Sequence, residues 1–277
     1  MKSTILSRLL PLALAAGFLP LLSCGGGGST TVGGGGNGGG GSDGTFRLAA
    51  LEGDWLGQLV PSALGARPRN SYARFVGGEF TEAAESDGGD WNDAVAALSF
   101  TFTTKGVLKT NAKADASSSR LQLTAQMDKA LTSLAGTFIL RTATGQKVTG
   151  NFTFTRSAGS TQFDQSMLTG RWDGLGTGSS GKFRFLKLDL DAAGVVTSGL
   201  LKHPDTQLKI RNYSNGAGTF TFFDSSVGRL NNVVVTSDGG ATITFNYLLL
   251  DVDRTALSGP GVESGLGSGI AELVPGI

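Results

Sequence analysis

Apolar and polar residues alternate with a period of two in several short runs: Phe100-Thr101-Phe102, Phe152-Thr153-Phe154, Phe220-Thr221-Phe222 and Ile243-Thr244-Phe245-Asn246-Tyr247. Aromatic and β-branched residues in this rhythm, cut by Gly, Asp, Asn and Ser, predict antiparallel strands. Long helical patterns are few, so the expected fold class is all-β. Two N-terminal stretches break the rhythm. Behind Lys2 and Arg8, Leu9 to Leu22 is apolar except at Pro11, Gly17 and Pro20. At about 14 residues this run suits a signal-peptide core and is short for a bilayer core of about 30 Å. Its prolines also disfavour a stable membrane helix. Residues 25–44 follow, and 13 of them are glycine. Glycine loses the most backbone freedom on ordering, so this stretch predicts a flexible tether with a root-mean-square span of ~25 Å.

The apolar run ends Leu21-Leu22-Ser23-Cys24. These residues resemble the lipobox of bacterial lipoproteins, with an apolar residue three before the cysteine and a small one just before it. The resemblance implies cleavage between Ser23 and Cys24, diacylglycerol on the Cys24 sulfur, and an acyl chain such as palmitate on the new amine. Two or three chains anchor stably where one binds marginally. Gly25 stands where an aspartate would favour inner-membrane retention, which by the same resemblance implies the outer membrane. The lipid membrane is thus the first expected partner.

An internal repeat sets the expected domain count. Leu51-Glu52-Gly53-Asp54-Trp55-Leu56-Gly57 returns as Leu168-Thr169-Gly170-Arg171-Trp172-Asp173-Gly174, an offset of 117. Three further matches follow in the same order. The turn at Gly106 pairs with that at Gly194, both read as hairpins whose left-handed glycine adjoins a bulge. Leu121-Gln122-Leu123 pairs with Leu208-Lys209-Ile210, and Gly136-Thr137-Phe138 with Gly218-Thr219-Phe220. The offset falls from 117 to 88 after the first match, which predicts a loop insertion within 60–96 of the first copy. The expected organisation is a signal peptide at 1–23, lipidated Cys24 and linker at 24–45, a β domain at 46–163, a second at 164–257, and a Gly-rich tail at 258–277. Each copy has room for six to eight strands, as a small antiparallel barrel, a sandwich or an open meander.

Gly53-Asp54-Trp55 and Gly170-Arg171-Trp172 resemble the Gly-x-Trp that opens the first strand of lipocalins and other calycins. The resemblance implies an up-and-down barrel with the tryptophan packed across its closed end. Without it, Trp55 and Trp172 are large core residues opening a β meander.

Charge and composition narrow the chemistry. The chain carries a net charge of +1, and losing Lys2 and Arg8 with the signal leaves it near neutral. No basic stripe is visible along the sequence, so no nucleic-acid partner is expected. Cys24 is the only cysteine and His203 the only histidine. Disulfides, thiol catalysis and Cys-ligated zinc are therefore excluded once Cys24 is lipidated, and a Ser–His–Asp triad has one candidate base. Gly176-Thr-Gly-Ser-Ser-Gly-Lys182 nearly satisfies a phosphate-loop pattern, but a strand-like alternation follows where a helix is required. Asp189-Leu190-Asp191 hints at a calcium loop without its later carboxylates and reads as a turn. Asp87, Asp90 and Asp93, beside Trp91 in the insertion, are weak metal candidates; a solvated acidic loop is the simpler reading. No catalytic residue and no cofactor is expected.

The expected function is that of an envelope lipoprotein presenting two β domains for interaction or a structural role. Lipocalin-like binding of a small apolar ligand is the alternative. A hydrolase using two carboxylates is a third, more distant one.

Overall fold

The computed structural model describes residues 45–276 apart from 65, 87–98, 114–119, 142–146, 158–162, 179–182, 204–205 and 266. Cys24, its flanking lipobox, and Asp87, Asp90 and Asp93 lie outside the described residues. Among the described residues, sixteen strands form two eight-stranded antiparallel sheets. The first holds β1 (Gly53–Pro61), β2 (Arg69–Val76), β3 (Glu79–Glu85), β4 (Ser99–Phe102), β5 (Val107–Lys113), β6 (Arg120–Met127), β7 (Ser133–Arg141) and β8 (Lys147–Arg156). The second holds β9 (Gly170–Gly178), β10 (Phe183–Leu190), β11 (Val196–Lys202), β12 (Lys209–Tyr213), β13 (Arg229–Thr236), β14 (Thr242–Leu250), β15 (Leu257–Glu263) and β16 (Gly267–Pro275). Their orders are β3-β2-β1-β8-β7-β6-β5-β4 and β12-β11-β10-β9-β16-β15-β14-β13. Each is a meander whose first and last strands pair, leaving one seam, after the third strand in one copy and after the fourth in the other. Both curl into half-barrels.

The alternation works as the sequence implies. In β8, Gly150, Phe152 and Phe154 are buried while Asn151, Thr153 and Thr155 are exposed. The inward Phe rings need inward glycines beside them. A Cβ on Gly57 would lie 2.6 Å from the Phe154 ring, and one on Gly150 would lie 2.5 Å from that of Phe138. The Phe75 ring of β2 meets the Phe100 ring of β4 edge-on at 5.6 Å, so the curl brings the two sides of the seam together. Phe220-Thr221-Phe222, read as a strand, instead lies in the connection between β12 and β13. There Gly218 bridges Val235 and Thr219 bridges Val195, which spans the seam of the second half-barrel.

The two tryptophans are built alike. A short 3-10 turn, Leu48–Leu51 or Gln165–Leu168, leads to a glycine at φ 107° or 109° and then to the tryptophan. Trp55 Nε1 donates to Leu51 O at 2.7 Å and Trp172 Nε1 to Leu168 O at 2.8 Å. Both rings are buried. Arg156, at the end of β8, lies 4.9 Å over the Trp55 ring and also donates to Ala50 O.

Two domain expectations are corrected. The part of the 60–96 segment that is described is not an inserted loop: it supplies β2 and β3, which hold the places of β10 and β11. The turn at Gly106 joins β4 to β5, whereas that at Gly194 joins β10 to β11. The two turns share their hydrogen bonds, Gly106 N to Thr103 O and Gly194 N to Asp191 O, both at 2.9 Å, without sharing a place in the fold. The true counterpart of the Gly194 turn is Gly77-Gly78, at φ 62° and 82°. Likewise β6 matches β14, not β12, which holds Ile210 and follows Leu208. Residues 258–277 are not a tail either. They form most of β15 and all of β16, and β16 sits between β9 and β15 in the middle of the sheet.

The half-barrels are not independent. Leu56, Tyr72 and Ala84 are cross-strand partners in one rung of β1, β2 and β3. All three are buried in the core cluster of the second half-barrel, while the neighbouring rung Trp55, Ala73 and Ala83 fills the first. Polar contacts frame this junction. Arg229 lies 5.0 Å over the Tyr247 ring and donates to Tyr72 Oη at 2.8 Å. Tyr247 Oη donates to Glu85 O at 2.5 Å, and Asn70 Nδ2 to Ser258 Oγ at 3.2 Å. Arg74 binds Asp54 and Glu82 within its own half-barrel and Asp224 and Ser226 across the junction, each of the latter two at 2.7 Å. Burial alone would raise the Asp224 carboxyl. Hydrogen bonds from Ser226 and Arg74, with the charge of Arg74, outweigh that and hold it below the usual carboxylate range.

Two predictions follow from this packing. A chain ending at 257 loses most of β15 and all of β16, and should give no cooperative thermal transition in its second half-barrel. In the full chain, the stability owed to ionised Asp224 is present above its unfolded value and is lost as pH falls through the lower folded one. Arg74→Ala should destabilise by about 3 kcal/mol, because three carboxylates lose their shared cation. Denaturant melts between neutral and acidic pH measure both, with Asp224→Asn flattening part of the acid slope.

Candidate functional site

A cluster of polar groups stands on the inner face of the second half-barrel. Arg211 pairs with Leu201, which pairs with Leu186, and both leucines are core residues. Partners directly across a sheet share a face, so Arg211 is on the inner one. Tyr213, two residues on, shares it, as does Arg184, two before Leu186. Glu263 is the partner of the core residue Ile243. The four groups lie close enough to feel one another's charge, with Tyr213 on the rung of Gly199, Leu188 and Trp172 and Arg184 opposite Gly176.

Arg211 Nη1 and Glu263 Oε1 are 2.5 Å apart, with side chains 18% and 12% exposed. The pair joins β12 to β15, strands that are not neighbours in the sheet, and so ties the curl across its interior. Arg211 Nη2 also donates to Ser264 O at 3.1 Å. Burial outweighs Arg211 and Arg184 and raises the Glu263 carboxyl. Tyr213 is 2% exposed, and its hydroxyl faces Arg211 and Glu263 without a well-formed hydrogen bond to either. Burial, and then the charge of Glu263, push this phenol up to about 12. The facing wall is glycine-rich. A Cβ on Gly174 would lie 2.5 Å from the Leu273 side chain, whereas one on Gly176 would meet nothing within 4 Å. The interior is therefore tight beside Trp172 and opens at Gly176. A hydroxyl, a guanidinium and a carboxylate together on the inner face suit the polar head of a small, otherwise apolar molecule.

The other candidates resolve as local structure. β9 runs through Gly178 and β10 begins at Phe183, so the Gly176–Lys182 stretch joins two strands and lacks the helix a phosphate loop requires. Asp191 Oδ1 accepts from Ala193 N and Val195 N, each at 2.9 Å, and holds a turn. Asp189 accepts from Ser198 Oγ and lies 3.4 Å from Arg171. His203 follows β11, with its ring Nδ1 3.5 Å from Thr206 N. Among the described residues no group of three or more His, Cys, Asp or Glu is placed to hold a metal, and no helix is long and apolar enough to cross a membrane. The interior cluster escaped sequence reading because its members are scattered between 184 and 263. The alternation around Leu201 and Ile243 was the available signal.

Tyr213→Phe removes a buried hydroxyl that makes no well-formed hydrogen bond and should stabilise the ligand-free protein by about 1 kcal/mol. Wild-type stability should fall as pH rises from the ordinary tyrosine range towards 12, because the unfolded phenol ionises first. That slope should shrink in Tyr213→Phe. Denaturant melts at neutral and alkaline pH check both expectations.

No protein-family model matches the chain, and no curated protein does. Solved structures similar to it include a protein of Nitrosomonas europaea described as "putative AttH". It is 12% identical over 81% of this chain and 92% of that one, with a TM-score of 0.24. Another is a protein of unknown function from the DUF3598 family of Nostoc punctiforme. It is 13% identical over 82% of this chain and 96% of that one, with a TM-score of 0.22. Superpositions this loose carry no argument about activity, and the fold stands on its own strand order.

Proposed function

We propose that the chain is a non-enzymatic envelope lipoprotein, anchored through acylated Cys24, that presents a fused pair of half-barrels for interaction at the membrane surface. The observation that carries this reading is the junction. Leu56, Tyr72 and Ala84 are buried against the second half-barrel, so the pair moves as one body. A rigid body on a Gly-rich tether is suited to presenting fixed surfaces. The expected site is the outer membrane, without a nucleic-acid partner. The nearby carboxylates Asp54, Glu82 and Asp224 are committed to Arg74, which disfavours the hydrolase alternative.

A second reading is carriage of a small, largely apolar ligand with a polar head. It is favoured by the buried Tyr213 hydroxyl beside Arg211 and Glu263, and by the space a Cβ on Gly176 would find empty. Native mass spectrometry of the purified full chain should then detect a bound small molecule, lost or reduced in Tyr213→Phe. An invariant ligand-free mass in every preparation opposes it.

For the anchor, metabolic labelling with a radioactive fatty acid should mark the wild-type chain and not Cys24→Ala. The variant should also partition to the aqueous phase in detergent extraction. Label persisting in Cys24→Ala would remove the lipoprotein reading.

A further inference from the structure

Strand register lines up cations that sequence order keeps apart. Lys113 pairs with Arg120, Arg120 with Arg141, and Arg141 with Lys147, so one rung of β5, β6, β7 and β8 carries a basic residue on every strand. The side chains of Arg120, Arg141 and Lys147 are exposed and make no ion pair among the described residues. They sit on the outer face, because the next rung, Leu121, Leu140 and Val148, packs with the core. Lys109 is exposed on the same face. These four strands contain no Asp or Glu. Like charges directly opposite on neighbouring strands are destabilising. Among the described residues no acidic side chain on these four strands relieves that cost; Asp115, in the β5–β6 connection, lies outside them. The whole-chain charge of +1 hides this stripe, and the expectation that none exists is corrected here.

From this rung we infer that the outer face of β5–β8 docks onto an anionic lipid surface, which is the membrane that the proposed Cys24 anchor reaches. Successive strands are about 4.8 Å apart, so the rung extends ~14 Å. Its members stand side by side and do not converge on a pocket, which suits a plane of many negative headgroups better than one small anion. A shallow concavity of about 250 Å³ on the same face, lined by Lys109, Thr124, Thr137 and Ile139 among others, gives room for a headgroup between the strands. Nucleic acid fits less well. Phe138, Phe152 and Phe154 all point into the core, so the face offers no aromatic platform for bases. Geometry permits the contact. The described chain starts beside the β4–β5 turn, where Phe46 N donates to Thr104 O. The rung is at the far end of β5, about 20 Å away. A Gly-rich tether spanning ~25 Å lets the first half-barrel lie on its side.

The test uses the full-length chain with vesicles of phosphatidylcholine alone or of a mixture rich in phosphatidylglycerol. Acetylation of Lys147 by a water-soluble amine reagent, read peptide by peptide, should be several-fold slower on the anionic vesicles. High salt should restore the rate, and Lys209 in the second half-barrel should be unaffected. In Arg120→Gln and Arg141→Gln the ratio of docked to undocked chain should fall about fivefold for each charge removed. Equal Lys147 rates on both vesicles overturn the proposal. So does protection by a single-stranded oligonucleotide and not by anionic vesicles, which would assign the stripe to nucleic acid. The anchor is read separately, by whether the chain stays with neutral vesicles through a high-salt wash. If it does not, the lipoprotein reading fails, while the Lys147 comparison on added vesicles still decides the stripe.

Discussion

The structure depends on one wall that is buried on both sides. Along β1, Trp55 and Leu59 face the first core, while Leu56 between them faces the second half-barrel. Along β2 the same holds for Ala73 and Phe75 against Tyr72. A strand that must be apolar on both faces cannot alternate cleanly, and its polar residues must find partners at the junction. That is why Asn70, Arg74 and Glu85 have contacts across the domains. Burying such groups unpartnered would cost several kcal/mol each, so their pairing fixes the register of one half-barrel on the other.

This constraint also explains what was legible in the sequence. Phe152-Thr153-Phe154 was readable because β8 has one wet face and one dry face. Gly-x-Trp was readable because a glycine at positive φ followed by a fully buried indole tolerates little variation. β2 and β3 were unreadable. Burial on both faces gives Asn70-Ser71-Tyr72-Ala73-Arg74-Phe75, which has no clean period, and the charges needed at the junction resemble a solvated loop. From sequence alone the stretch therefore resembles an insertion. Matching Gly106 to Gly194 reinforced the error, because a type I turn with a left-handed glycine recurs wherever a hairpin of that length occurs. A better repeat signal was present. Asp128 accepts from Thr132 N and Thr132 Oγ1, and Asp251 from Thr255 N and Thr255 Oγ1. These two turns join β6 to β7 and β14 to β15, which are equivalent places.

The interior cluster and the outer stripe were hidden for a different reason. Arg211 and Glu263, like Arg120, Arg141 and Lys147, become neighbours only through register. A sheet converts separations of tens of residues into spacings of about 5 Å. Net charge and local motifs average over such distances, so a near-neutral chain can still carry a strongly basic face. Fold class is written in local rhythm, and surface chemistry is written in pairing.

The junction has a further consequence for how two similar copies coexist. The outer face of β1–β3 in the first copy packs on residues of β13–β15 in the second, so different faces of the repeat meet. Such a head-to-tail contact does not close, and repeating it would build a filament. What would receive the next molecule is the equivalent face of the first copy, β5–β7. Counting back from the matching turns, Tyr247 corresponds to Thr124, and counting forward, Ser258 corresponds to Ala135. The aromatic ring that donates to Glu85 O and lies under Arg229 is thus replaced by a short, exposed threonine. Beyond it stands the row of like charges. The substitutions that make the first copy's outer face unfit to dock another repeat are the same ones that leave it free, polar and basic for a different kind of surface.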